Sequence, residues 1–107
     1  MTIAIAAIDT NLTAQVALHS ARAPYYLLFD DHGNFLKSLA NPFAQVDQGA
    51  APRAALFLSD NDVTLLAAGD FGPRFISELE QRGIRYVQKT DLVSDALKEL
   101  IAEPKAE

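Results

Sequence analysis

Cysteine is absent from the 107-residue chain. The chain therefore carries no disulfide, no thiolate nucleophile and no cysteine-ligated zinc or iron–sulfur site of its own. Metal chemistry falls to histidine, to carboxylates or to a partner. Positive charge is also scarce: Lys and Arg total 9 against 14 Asp and Glu, a formal net charge of −5. This balance argues against a broad phosphate-binding surface and against non-specific nucleic-acid binding, while leaving room for a local basic pocket. No apolar run is long enough to span a bilayer. The N-terminal "MTIAIAAIDT" is short and lacks a basic flank, so neither a signal peptide nor a membrane helix is expected, and a cytoplasmic location is the default. Internal repeats and low-complexity linkers are missing too.

What the chain does have is apolar residues, 50% of the total. At this length they suffice for a single core without disulfides or a structural metal. We expect one domain over residues 1–103 and a frayed tail at 104–107. "TIAIAAI", Thr2 to Ile8, has the pattern of a strand buried on both faces, and Asn11 to Arg22 reads as a loop. "APYYLLFD" and "FLKSLA" flank the turn residues "DDHGN" and form a hairpin. After the irregular "NPFAQVDQGAAP", a helix is expected from Pro52 to about Asp60, with Ala54, Leu56, Phe57 and Leu58 available for the core.

"VTLLAA" is the next buried strand. It runs into a turn at Gly69 and Gly72, and Pro73 opens a helix that carries Phe75, Ile76 and Leu79 and is capped at Gly83. A strand "IRYVQK" precedes a last helix, capped by Thr90 or Asp91, with Leu92, Val93, Ala96, Leu97, Leu100 and Ile101 as its apolar stripe. The order β-β-β-α-β-α-β-α predicts a three-layer α/β/α protein with a mixed five-stranded sheet and right-handed crossovers in its second half.

In such sheets ligands bind at the carboxyl ends of parallel strands. Three segments should meet there: the loop with His19 and Arg22, the stretch Gly49 to Arg53, and the stretch Gly69 to Arg74. The last two share a design in which glycine or small residues lead into Pro-Arg at a helix start. Free backbone amides and a first-turn arginine at that position favour an anion, although the same residues also serve as ordinary helix-start devices. His19 can act as a metal ligand or proton carrier, or can be a solvated loop residue; no second ligand stands at a chelating spacing beside it. His32 sits in the hairpin turn and needs no functional explanation.

Asp9 and Asp70 lie at expected strand ends, and paired carboxylates there would suit a magnesium-dependent hydrolase. Asp30, Asp31, Asp60 and Asp62 are equally well explained as turn or cap residues. "GDFG" lacks the kinase or P-loop context that would make a phosphate-binding glycine motif persuasive. Ser20 follows His19 directly, which turns the two side chains apart on an extended chain. Tyr25 and Tyr26 read as strand packing.

The ordered set is specific: His19 three residues before Arg22-Ala23, then Gly49-x-x-Pro-Arg-Ala, then Gly69-x-x-Gly-Pro-Arg. In order and spacing, over most of the chain, it resembles the dinitrogenase iron–molybdenum cofactor biosynthesis family, which includes NifX-like and NafY-like carriers and the C-terminal part of NifB-like proteins. The resemblance implies a ribonuclease-H-like fold and a non-catalytic protein that holds an anionic iron–sulfur or iron–molybdenum cluster transiently, with nitrogenase assembly proteins as partners. It implies His19 as the cluster ligand, and Arg22, Arg53 and Arg74 with the backbone around Gly49, Gly69 and Gly72 as an anion-accepting rim. An interaction or regulatory domain of the same fold without a cluster is the alternative.

Overall fold

The computed structural model describes residues 1–102. The tail expected to fray, 104–107, lies outside the described residues. The elements are β1 (Thr2–Ala7), β2 (Tyr25–Asp30), β3 (Phe35–Ala40), α1 (Ala50–Asp60), β4 (Val63–Ala68), α2 (Pro73–Gln81), β5 (Arg85–Gln88) and α3 (Val93–Ala102). One sheet in the order β3-β2-β1-β4-β5 holds all five strands. β1 pairs antiparallel with β2 and parallel with β4, β2 pairs antiparallel with β3, and β4 pairs parallel with β5. This is the ribonuclease-H-like arrangement.

The alternation of side chains along each central strand divides the core in two. Ala4, Ala6, Tyr26, Leu28, Leu66 and Ala68 face α1 and α2, which present Ala54, Ala55, Leu58, Phe75 and Leu79. Ile3, Ile5, Ala7, Leu27, Phe29 and Ala67 face α3, which presents Val93, Ala96 and Leu97. Three layers follow directly. Full burial of an aliphatic or aromatic side chain such as Leu27 or Phe29 contributes roughly 1.5–3 kcal/mol each before the entropic cost of ordering the chain.

Several expectations about individual residues need correction. α1 begins at Ala50 with Gly49 as its cap, so Pro52 is its third residue rather than its first. Within that frame the buried positions are Ala50, Ala54, Ala55 and Leu58. Leu56 falls on the outer side and is 51% exposed, contrary to its expected place in the core. The first strand stops at Ala7, and Ile8 is exposed. Leu92, which precedes α3, and Ile101 within it are exposed and do not join the apolar stripe.

Neither Thr90 nor Asp91 caps α3 through its side chain. Instead Val93 N–H donates to the Ala14 carbonyl (2.8 Å) and Ser94 N–H to the Leu12 carbonyl (2.9 Å), so loop backbone satisfies the helix start.

That loop, between β1 and β2, is bound to the sheet end. Val16 forms an antiparallel bridge with Ala7, Gln15 with Leu92, and His19 a parallel bridge with Asp70. Ala17 lies between the ends of β1 and β4: its N–H donates to the Ala6 carbonyl (2.8 Å), and its carbonyl accepts the Gly69 N–H (2.9 Å). The two parallel strands therefore part at their carboxyl ends around an inserted third segment.

Candidate anion-binding cleft

Gly69 makes this insertion possible. A Cβ there would stand 2.9 Å from the Leu18 Cα and 3.3 Å from the Ala17 carbonyl oxygen. Without one, the loop closes onto the end of β4, and Asp70 N–H donates to the Leu18 carbonyl (2.8 Å). The next residue, His19, is thereby set in register with Asp70. Residues in register across a ladder project to the same side, on strands about 5 Å apart.

The downstream half of the loop is held from beneath. The buried Asn41 donates through Nδ2 to the Ala21 carbonyl (3.0 Å) and the Ala23 carbonyl (2.9 Å), while its Oδ1 accepts the Phe43 N–H (3.0 Å). Tyr26 donates its hydroxyl to the Ser20 carbonyl at 2.6 Å. Burial pushes the Tyr26 phenol well above its ordinary range, so it remains a neutral donor. Arg22 reaches across to the facing loop, where its Nη1 donates to the Val46 carbonyl (2.6 Å).

A cleft of about 360 Å³ opens between these segments, lined among others by His19, Arg22, Gly49, Asp70, Gly72 and Arg74. Gly49 and Gly72 are the N-terminal caps of α1 and α2, neither of which has a side-chain capping bond. Gly49 adopts the left-handed conformation (φ 76°), whereas Gly72 is extended and a Cβ there would meet open space. Backbone amides in the first turn of each helix have no acceptor within the helix, and both helix dipoles place partial positive charge at the cleft. Two guanidinium groups and two helix starts thus face a single carboxylate, that of Asp70.

Of the seven residues expected at the site, five line the cleft together. Gly69 and Arg53 do not. Gly69 acts from behind, through its contact with Leu18. Arg53 folds toward Gly49, with its Nε 3.7 Å from where a Cβ would be. Sequence reasoning did not single out Ser20, Ala21 or Phe75 as lining residues, nor Asn41 and Tyr26 as their supports.

Among the described residues no group of three or more His, Asp or Glu side chains could enclose a metal ion. Asp9 sits in a local turn, its carboxylate accepting the Thr10 N–H (2.7 Å). Asp30 accepts the amides of His32 and Asn34 in the hairpin turn. His32 itself is 81% exposed. The donor set of the cleft suits an anion held by charge and hydrogen bonds, with one imidazole able to ligate.

An α/β/α protein with a 3-2-1-4-5 sheet and a cleft lined by His19, Arg22, Asp70 and Arg74 where its parallel strands part is the class that fold and site define. The chain belongs to the dinitrogenase iron–molybdenum cofactor family, whose profile matches residues 1–103. Among solved structures it is similar to the apo form of the orange protein from Desulfovibrio gigas, with 23% identity, a TM-score of 0.87, and 94% of this chain and 86% of that one covered. A Thermotoga protein with a provisional NifB description shares 22% identity at a TM-score of 0.76, with 99% and 98% of the two chains covered. The crystal structure of PH0822 gives 22% identity and a TM-score of 0.78, with 94% and 90% covered. At these identities the likeness concerns the fold. A comparison with curated proteins gives no match.

Proposed function

We propose that this chain is a small non-catalytic binding protein that takes up an anionic iron–sulfur or iron–molybdenum cluster as cargo and passes it on, in the cytoplasm, to proteins of cofactor assembly. The observation that carries this reading is the convergence of His19, Arg22, Arg74 and the starts of α1 and α2 on one cleft of a chain whose overall charge is negative. An anion approaching the molecule finds its favourable field there. His19 would supply the one metal-ligating nitrogen, while the arginines and first-turn amides would balance the cargo's charge. With no cysteine in the chain, the hold on the cargo would be weak enough to reverse.

Anaerobic titration of the purified protein with a synthetic thiolate-ligated iron–sulfur cluster tests the reading. Uptake should give charge-transfer absorption that coelutes with the protein, and His19→Ala should diminish it at least about tenfold in affinity, the scale on which disturbing a metal site is felt. Identical spectra for the two proteins would remove His19 from the site. No uptake by the wild type would remove the cluster reading.

One observation favours a second reading, an interaction domain of the same fold that takes no cluster. β3 is an outer strand of the sheet, and its Phe35 and Leu36 are about half exposed, 49% and 50%. An edge of this kind can accept an extended segment from another protein. Isolation of a stable complex free of metal by elemental analysis would favour that reading.

A further inference from the structure

The Asp70 carboxylate is out of place in a site built only for anions. It lines the same cleft as Arg22 and Arg74, and among the described residues it has no hydrogen bond or ion pair through its side chain. Its backbone is fixed by the Asp70 N–H bond to the Leu18 carbonyl and by the bridge to His19. A lone carboxylate repels a plain anion, and Coulomb interaction over a few ångströms makes that repulsion a measurable loss of affinity even at a solvated site.

The bridge gives the carboxylate a partner. His19 and Asp70 are in register, both line the cleft, and the imidazole also has no partner among the described residues. An imidazole and a carboxylate side by side are two first-row metal ligands with an open remainder of the coordination sphere. Arg22 and Arg74, which line the same cleft, offer charged donors instead.

We infer that Asp70 and His19 form a two-ligand metal-facing wall, so that the cleft discriminates in favour of an anion that presents a metal centre and against a metal-free oxyanion. This rests on the reading of the cleft as an anion site and adds to it what kind of anion is accepted. Asp70 is then a specificity-determining residue: it gives up some affinity for every anion and regains it only where a metal is presented.

The test compares wild type with Asp70→Asn, which keeps size and shape and removes the charge, using three probes separately. Cobalt(II) alone is followed by its visible absorption, inorganic phosphate by calorimetry, and the synthetic cluster by charge-transfer absorption. Asp70→Asn should weaken cobalt binding at least about tenfold and tighten phosphate binding roughly threefold. These opposite signs separate the assignment from a structural role, which would move both ligands the same way. Asp70→Glu, with the charge retained, should restore much of the cobalt affinity and the weak phosphate binding.

Parallel changes for cobalt and phosphate, no change in either, or a wild-type cobalt signal indifferent to His19→Ala would overturn the assignment. The cluster probe keeps the two proposals apart. Equal uptake by wild type and Asp70→Asn overturns the role of Asp70 and leaves the carrier reading standing. No uptake by either, with opposed cobalt and phosphate shifts, removes the carrier reading and upholds the Asp70–His19 wall.

Discussion

Leu18 occupies the space in which a side chain at residue 69 would stand, so Gly69 is required by packing rather than by any ligand. Gly69→Ala should destabilise the protein by about 1–3 kcal/mol, the usual cost of overpacking. The midpoint of urea denaturation measures it, and loss of hydrogen-exchange protection at the Asp70 amide would locate the damage. A fully stable Ala variant would mean the loop has room to retreat. Asn41 works at the same scale, with one amide group serving two loop carbonyls and one loop N–H.

Side-chain chemistry was legible in the sequence here, whereas its supports were not. Arg22 and Arg74 stand out by type and by their place near the start of a strand and of a helix, whereas His19 on spacing alone reads equally as a solvated loop residue and stands out only through the ordered match. Asn41 and Tyr26 bind backbone carbonyls of residues 20, 21 and 23, and a carbonyl leaves no mark in a sequence because every residue has one. Arg53 was misplaced for a different reason: α1 starts two residues earlier than its proline suggests, which makes Arg53 the fourth helical residue and leaves it off the cleft lining.

At the scale of elements, the β2–β3 hairpin turns on Asp30. Its carboxylate accepts N–H groups of His32 (2.9 Å) and Asn34 (2.9 Å) and the Asn34 side-chain amide (3.0 Å). These bonds, those from Asn34 foremost, favour the ionised form and hold the carboxyl below its usual range. A group whose pKa is lower folded than unfolded contributes stability above its unfolded pKa and loses that contribution as pH falls through the folded one. Asp30→Asn should therefore lower the thermal midpoint at neutral pH, and its difference from wild type should shrink toward about pH 2. Thermal scans across that range check both halves; a difference independent of pH would assign the effect to hydrogen-bond geometry alone.

The order of elements along the chain and the three layers were readable at this scale, because the apolar runs "TIAIAA" and "YYLLFD" and the helix starts at glycine and proline specify them locally, whereas the spatial order of the strands rests on pairings distant in sequence. The start of α3 was not: its first amides are bonded to the carbonyls of Leu12 and Ala14, about eighty residues earlier in the chain. Outer strand β3 carries Lys37 and an irregularity in its pairing with β2 between Leu28 and Phe29. Both features discourage indiscriminate edge pairing.

Taken as a whole, the molecule sets a small cationic mouth against a surplus of acidic groups. Attraction of an anion to the mouth competes with repulsion from the rest, and both are screened within about 10 Å at 0.1 M salt. Phosphate or cluster affinity measured at rising sodium chloride should fall if the nearby arginines and helix starts dominate. An affinity that rises with salt would mean that the overall negative charge governs approach.

The charged groups at the mouth, His19, Arg22, Asp70 and Arg74, are all exposed. Water reaches each of them, so each contact works in a high effective dielectric and contributes little on its own. The consequence is one of time. A guest held by several weak, hydrated contacts leaves quickly, and affinity differences among such sites are expressed mainly in departure rates. For the proposed cargo, an exposed mouth means short residence, which allows hand-over to a tighter acceptor without any machinery for release.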